Sequence, residues 1–183
     1  MKVFLTGAHS SGKTTLAKIL ADLLGWQMLP EVARDVLKTH GLTYPLPDYL
    51  VNLIQSEIAR RQVEILRTSK PDYVSDRFLD CFAYWIVHGD QNLDNRFSLG
   101  WASISCLVKS DFFADAKIFV LPPRKELLVT DEIRCVADWE TCLRLDAVNK
   151  AVLAAFNLRW HEVTALSVED RVKEVLSVCG IKT

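Results

Sequence analysis

Short apolar runs alternate along the chain with longer stretches whose apolar residues recur at helical spacing. The runs at residues 1–6, 26–30, 72–76, 117–121 and 161–165 predict five strands. Between them the periodicity predicts helices over 14–24, 31–39, 49–68, 79–88, 101–109 and 139–156. The first of these would bury Leu16, Ile19, Leu20, Leu23 and Leu24 and end at Gly25. The long third helix would bury Leu50, Leu53, Ile54, Ile58, Val63, Ile65 and Leu66. A last helix starts after Ser167, a residue suited to an N-cap, with Glu169 and Asp170 in its first turn. Segments 41–47 and 89–100 read as loops, and 124–136 as irregular. Strands alternating with helices imply an α/β fold around a parallel sheet. In such sheets ligands sit beyond the carboxyl ends of the strands, so the ends of strands one, two and three should meet in one pocket.

Length and charge narrow this picture. With 183 residues the chain has room for one domain, 1–183, and is short for two. Its 22 basic and 23 acidic residues leave a net charge of -1, which disfavours an extended nucleic-acid surface. Five cysteines, an odd number without a C-x-x-C pair, give neither zinc spacing nor a disulfide framework, and point to a thiol-bearing cytoplasmic protein. No apolar stretch is long enough for a membrane span, and a loop motif follows the first strand too soon for a signal peptide. Five tryptophans and several apolar helices leave a homodimer face open, but nothing marks one.

That motif is Gly7-Ala8-His9-Ser10-Ser11-Gly12-Lys13-Thr14, which fits G-x-x-x-x-G-K-[ST] at every fixed position. The two glycines permit backbone angles that let amide groups converge on phosphates. Lys13 offers a point charge to the terminal phosphates, and the Thr14 hydroxyl a ligand for Mg²⁺. Strand, loop and helix follow in the order the motif requires, so the residues from Gly7 to Thr15 form a candidate ATP-binding loop. His9 within it reads as a variable filler.

Other candidates lie at strand ends. Asp76 can reach a Mg²⁺ held by Thr14, or simply cap the next helix. Glu31 can accept a proton from an acceptor hydroxyl, or serve a helix dipole. Arg34 and Arg77 can bind a phosphate, hold a carboxylate, or form surface ion pairs. Asp80 and Tyr84, one helical turn apart, can line an acceptor site, although Asp80 also suits a first helical turn and Tyr84 a core. Gln55 and Gln62 can read a ribose or a base edge, with a solvated helix face as the plainer reading. Arg124, Lys125 and Arg134 fall where a closing lid would bring cations onto a migrating phosphoryl group.

Taken together, these blocks resemble a known family. The phosphate loop from Gly7 to Thr15, Glu31-Val32-Ala33-Arg34 followed by Gly41, Ser75-Asp76-Arg77 followed by Asp80, Ala83 and Tyr84, and Asp131, Arg134, Asp138 and Asp146 are its matching residues. They resemble the P-loop kinase-like ATPases related to the ribosylnicotinamide kinase domain of bacterial NAD-salvage proteins, akin to thymidylate and deoxynucleoside kinases. The resemblance implies a three-layer P-loop sandwich with strand order 2-3-1-4-5 and a lid at about 122–138. It implies ATP and Mg²⁺ as cofactors and a small hydroxyl-bearing acceptor, such as nicotinamide riboside. It gives Asp76 the Mg²⁺ role, Glu31 the acceptor or base role, and Arg134 the lid role. Glu132 departs from the glycine that often follows the lid aspartate. The rival readings are a nucleoside monophosphate kinase using Arg34, Arg61 and Arg77, and a regulatory ATP-binding module. A nucleic-acid 5′-kinase is a further one.

Overall fold

A parallel five-stranded sheet of order β2-β3-β1-β4-β5 organises the chain. The strands are β1 (Lys2–Thr6), β2 (Gln27–Leu29), β3 (Tyr73–Asp76), β4 (Ala116–Val120) and β5 (His161–Glu162). The computed structural model describes residues 1–43, 46–88, 98–128 and 138–182. Its helices are α1 (Lys13–Leu24), α2 (Val32–Thr39), α3 (Asp48–Thr68), α4 (Asp80–His88), α5 (Ser98–Lys109), α6 (Trp139–Ala155) and α7 (Val168–Cys179). Arg134 and most of the expected lid lie outside the described residues, as do Asp131 and Glu132.

Side chains of β1 alternate between two cores, as the two-residue period of a strand demands. Phe4 joins Leu29, Tyr73, Ile118 and Val120 on the face covered by α2, α3, α5 and α6. Val3 and Leu5 join Val74, Phe119 and Leu121 on the face covered by α1 and α7. With both faces covered, β1 and β3 are buried almost throughout, the polar Ser75 and Asp76 of β3 included. An aromatic cluster anchors the larger core, with the Phe4 ring 4.6 Å from Phe78 and 5.5 Å from Phe113. The smaller side uses alanines: α1 buries Leu16, Ala17, Leu20 and Ala21, which bring its backbone close to the sheet.

Several local expectations change. Ile19 and Leu23 are exposed, because α1 turns its small residues to the sheet and those two lie round the helix from them. Leu53 on α3 is also exposed, while Val51 is buried in its place. Helix α5 starts at Ser98 instead of 101, and a 3₁₀ turn at Asp111–Phe113 delivers Phe113 to the core. Strand β5 stops at Glu162, short of the expected 165. Glu174 explains this: its carboxylate accepts the amides of Thr164 at 3.1 Å and Ala165 at 2.9 Å, which diverts that backbone from the sheet. Ser167 caps α7 as expected, accepting from the Asp170 amide.

Candidate active site

The phosphate loop leaves β1 through Gly7, whose φ of +137° is closed to most side chains. Contact reinforces the requirement, since a Cβ there would lie 2.3 Å from the Leu121 carbonyl oxygen at the end of β4. Gly12 (φ +88°) stands at the N-cap of α1 with no side chain capping the helix, so the first amides remain available to an anion. The helical ladder begins only with the Leu16 amide, which donates to the Gly12 carbonyl at 3.1 Å. Thr15, expected at the end of the ATP-binding loop, lies with Lys13 and Thr14 in the first turn of α1, its side chain exposed. It does not line the acceptor cavity, and what it presents at the loop is a backbone amide ahead of that ladder. Lys13 is buried, and its Nζ donates to the Ala8 carbonyl and to Ser11 Oγ at 3.0 Å. Burial, aided by repulsion from the Arg77 charge, pushes its pKa down to about 7.

Thr14 Oγ1 donates to Asp76 Oδ2 at 2.6 Å. The other carboxylate oxygen, Asp76 Oδ1, is buried without a hydrogen-bond partner among the described residues. A buried, half-satisfied carboxylate beside a threonine hydroxyl is a donor set that fits a hard cation such as Mg²⁺. Helix α4 begins at Asp80, so Asp76 does not cap it.

Glu31 sits at the N-cap of α2, yet its side chain caps nothing there. It accepts from Arg34 Nε at 3.2 Å and from Arg77 Nη2 at 3.0 Å. Arg77 follows β3 with φ +115°, a left-handed conformation that costs a non-glycine residue ~1–3 kcal/mol. That backbone places its guanidinium between Glu31 and the Gly7 carbonyl, 3.4 Å away. Burial opposes the Arg77 charge, but Glu31 and Asp80 more than offset it and raise its pKa.

Asp80 borders the same space, but both oxygens are committed to the loop. Oδ1 accepts from Thr6 Oγ1 at 2.7 Å and from the Gly7 amide at 3.2 Å, and Oδ2 from the Phe78 amide at 3.0 Å. Asn149 on α6 donates to the same Thr6 hydroxyl. Asp80 is therefore arranged to brace the loop's root more than to meet an acceptor directly. His9, read as a filler, instead hydrogen-bonds through Nε2 with the Tyr84 hydroxyl, tying the loop to α4.

His9, Glu31, Arg34, Arg77, Asp80 and Tyr84 line one cleft beside the phosphate loop, about 570 Å³ with its open mouth included. Glu31 from the end of β2, Arg77 and Phe78 from the end of β3, and His9 from the loop after β1 all line it. The ends of strands one, two and three do meet in one pocket. Gln55 and Gln62 line it too, both almost fully buried, so the solvated-face reading of this pair is corrected. Their side of α3 packs on the sheet, where Gln62 Nε2 lies 3.5 Å from Ser75 Oγ. Arg34, the most exposed of the charged trio, stands at the rim.

Arg124 lies apart from this cavity. Its Nη2 donates to the carbonyls of Thr164 and Ala165, at 3.4 and 2.9 Å. Arg171 joins it there and also reaches the loop, donating to the Ser11 carbonyl at 3.0 Å. On an amphipathic helix such as α7 an arginine reads as a surface charge, so no sequence signal marked it.

A family model described as an AAA domain matches residues 2–171. The chain belongs to that family. No curated protein matches it. Among solved structures, this AAA-domain chain is similar to a deoxyadenosine kinase from M. mycoides with bound dATP (TM-score 0.69, 15% identity, covering 98% of this chain and 99% of that one). It is also similar to NadR protein in complex with NAD and AMP-PNP (TM-score 0.70, 17% identity), spanning all of this chain and half of that one. A shikimate kinase from Acinetobacter baumannii in complex with shikimate is a more distant likeness (TM-score 0.51, 13% identity, covering 97% of this chain and 91% of that one). At these identities the likeness establishes the fold. It is the P-loop kinase-like fold that the motifs resemble, with the expected strand order and helices on both faces. Among the described residues, no helix is long and apolar enough to cross a membrane.

Proposed function

We propose that this AAA-domain chain is an ATP- and Mg²⁺-dependent kinase of a small hydroxyl-bearing acceptor, of the nucleoside class to which nicotinamide riboside belongs. The observation that carries this reading is the cavity beside the phosphate loop, with the Glu31 carboxylate held in it by Arg34 and Arg77. Lys13 and the loop amides would bind the β- and γ-phosphates. Thr14 and Asp76 would hold Mg²⁺, which would offset the negative charge of the phosphates. The acceptor oxygen bonds to the γ-phosphorus as the bond to the ADP oxygen breaks, and Glu31 takes the hydroxyl proton. Gln55 and Gln62 offer amide donors and acceptors to a ring or ribose edge. Arg124 and Arg134 are the cations that a lid would bring to the phosphates. The free thiols of Cys81, Cys106, Cys142 and Cys179 accord with a cytoplasmic setting.

The same geometry favours a nucleoside over a monophosphate. An acceptor phosphate needs an uncommitted cation, but Arg34 and Arg77 are paired with Glu31, and Arg61 with Glu57 at 2.6 Å. The test is ATP consumption with Mg²⁺ against nucleosides, nucleoside monophosphates and buffer, with Lys13→Ala as blank and products read by mass. Stimulation by one nucleoside, with its phosphorylated product, is the expected result. Activity on monophosphates alone selects the rival kinase, and ATP binding without any stimulation selects a regulatory module.

A further inference from the structure

Arg171 is a buried cation, only 4% exposed, on a helix that contributes nothing to the acceptor cavity. Its Nη1 donates to the Ser11 carbonyl inside the phosphate loop, and its Nε to the Ala165 carbonyl at 3.1 Å. It lies against the loop backbone so closely that a Cβ on Gly12 would come within 2.9 Å of Nη1. The turn that receives Nε is itself fixed from α7, where Glu174 accepts the amides of Thr164 and Ala165. Loop and turn are thus joined through one guanidinium.

The charge of that guanidinium needs an explanation. Its hydrogen bonds go to carbonyls, and no carboxylate lies at ion-pair distance from it among the described residues. Arg124 converges on the same Ala165 carbonyl and adds repulsion, and burial together with Arg124 lowers the Arg171 pKa, against the attraction of Glu126 and Glu174 beyond ion-pair distance. Burying a cation on carbonyls alone is costly, and a neutral amide could serve two acceptors without that cost. A polyanion in the adjoining loop would offset it. A Ser11 carbonyl held by Arg171 is also kept from turning its partial negative charge toward the phosphates.

We propose that Arg171 is a positioning residue for the nucleotide: it holds the Ser11 carbonyl away from the phosphates and lends the loop a buried positive charge that sets affinity for the triphosphate. This rests on the nucleotide-binding reading of the loop. The experiment titrates the full chain and its Arg171→Gln and Arg171→Lys variants with Mg·ATP by calorimetry, and melts each without nucleotide. Gln keeps a donor and loses the charge, and Lys keeps the charge. The expected result is a loss of affinity of about tenfold or more in Arg171→Gln, as for one charge-assisted contact, and of no more than about threefold in Arg171→Lys. A folded Arg171→Gln that binds within about twofold of wild type overturns the proposal. So does a folded Arg171→Lys that loses as much as Arg171→Gln, or, should Arg171→Gln not fold, one that loses more than about tenfold. A wild-type chain that binds no Mg·ATP overturns the underlying reading as well, whereas normal wild-type binding with an unaffected Arg171→Gln overturns this proposal alone.

Discussion

Replacing Gly7 by alanine tests whether the phosphate loop is wedged against β4. Two costs add. At φ +137° an alanine is strained by ~1–3 kcal/mol. Its Cβ would also lie 2.3 Å from a backbone oxygen of Leu121, which cannot swing aside like a flexible side chain, and overpacking of that kind adds ~1–3 kcal/mol. The sum, ~2–6 kcal/mol, lowers Tm by about 5–20 °C for a chain of this size. Gly25→Ala is the control, because it also has positive φ (+64°) but its Cβ would meet nothing within 4 Å. It should cost only ~1–2 kcal/mol, less than Gly7→Ala. If the Gly7→Ala loop relieves the clash by moving, it abandons the phosphates. Mg·ATP at about a hundred times its Kd should stabilise wild type and Gly25→Ala by ~2.7 kcal/mol, and Gly7→Ala by far less. Differential scanning fluorimetry with and without Mg·ATP measures both effects. Equal melting of the two variants, with equal shifts on adding nucleotide, would refute the wedge and its role in shaping the loop.

Four further outcomes are expected. Glu31→Gln should lower kcat by about 10²–10⁴ while ATP affinity stays near wild type, and unchanged turnover removes Glu31 as the base. Lys13, near pKa 7 when buried and uncomplexed, must be charged to hold phosphates, so Mg·ATP binding at pH 8 should take up about one proton and weaken as pH rises further; calorimetry in buffers of different ionisation enthalpy reads the uptake, and zero uptake refutes it. The same shift makes the unfolded chain bind more protons between pH 7 and 10.5, so the uncomplexed wild type should gain stability across that window relative to Lys13→Met, and a flat difference in denaturant midpoints goes against it. Phe4→Ala should cost ~3–5 kcal/mol, because it empties the centre of the Phe78–Phe113 cluster, and chemical denaturation with a loss under ~1 kcal/mol would show that the cluster collapses to fill the gap.

The loop and its flanks were legible because each carries a local requirement: glycines at positive φ, an apolar strand before them and a periodic helix after. Ser167 was legible for the same reason, as a cap acts within three residues. What failed depends on partners far along the chain. Ile19, Leu23 and Leu53 are apolar by type but lie outside the stripe that the sheet covers, and only the docking angle of a helix decides that. Gln55 and Gln62 carry no mark of burial, since it is the cavity beside β3 that takes them in. The shortening of β5 was set by Glu174, whose carboxylate competes for amides that the apolar pattern assigns to a strand. Arg171 was hidden in the same way, as a helix arginine whose target lies 160 residues earlier in the chain.

The position of β1 in the sheet bears on how the protein is made. Although first of the five strands in sequence, β1 lies at the centre, with Lys2–Leu5 paired to β3 and Lys2–Thr6 to β4. During synthesis, neither edge of that strand can be paired until residues 73–76 have emerged, nor both until 116–120 have followed. At about 5–20 residues per second the nascent chain carries an apolar, unpaired strand for roughly five to twenty seconds or more. Unpaired strand edges are templates for association with other chains. The strand that leads into the phosphate loop is therefore in need of shelter on the ribosome.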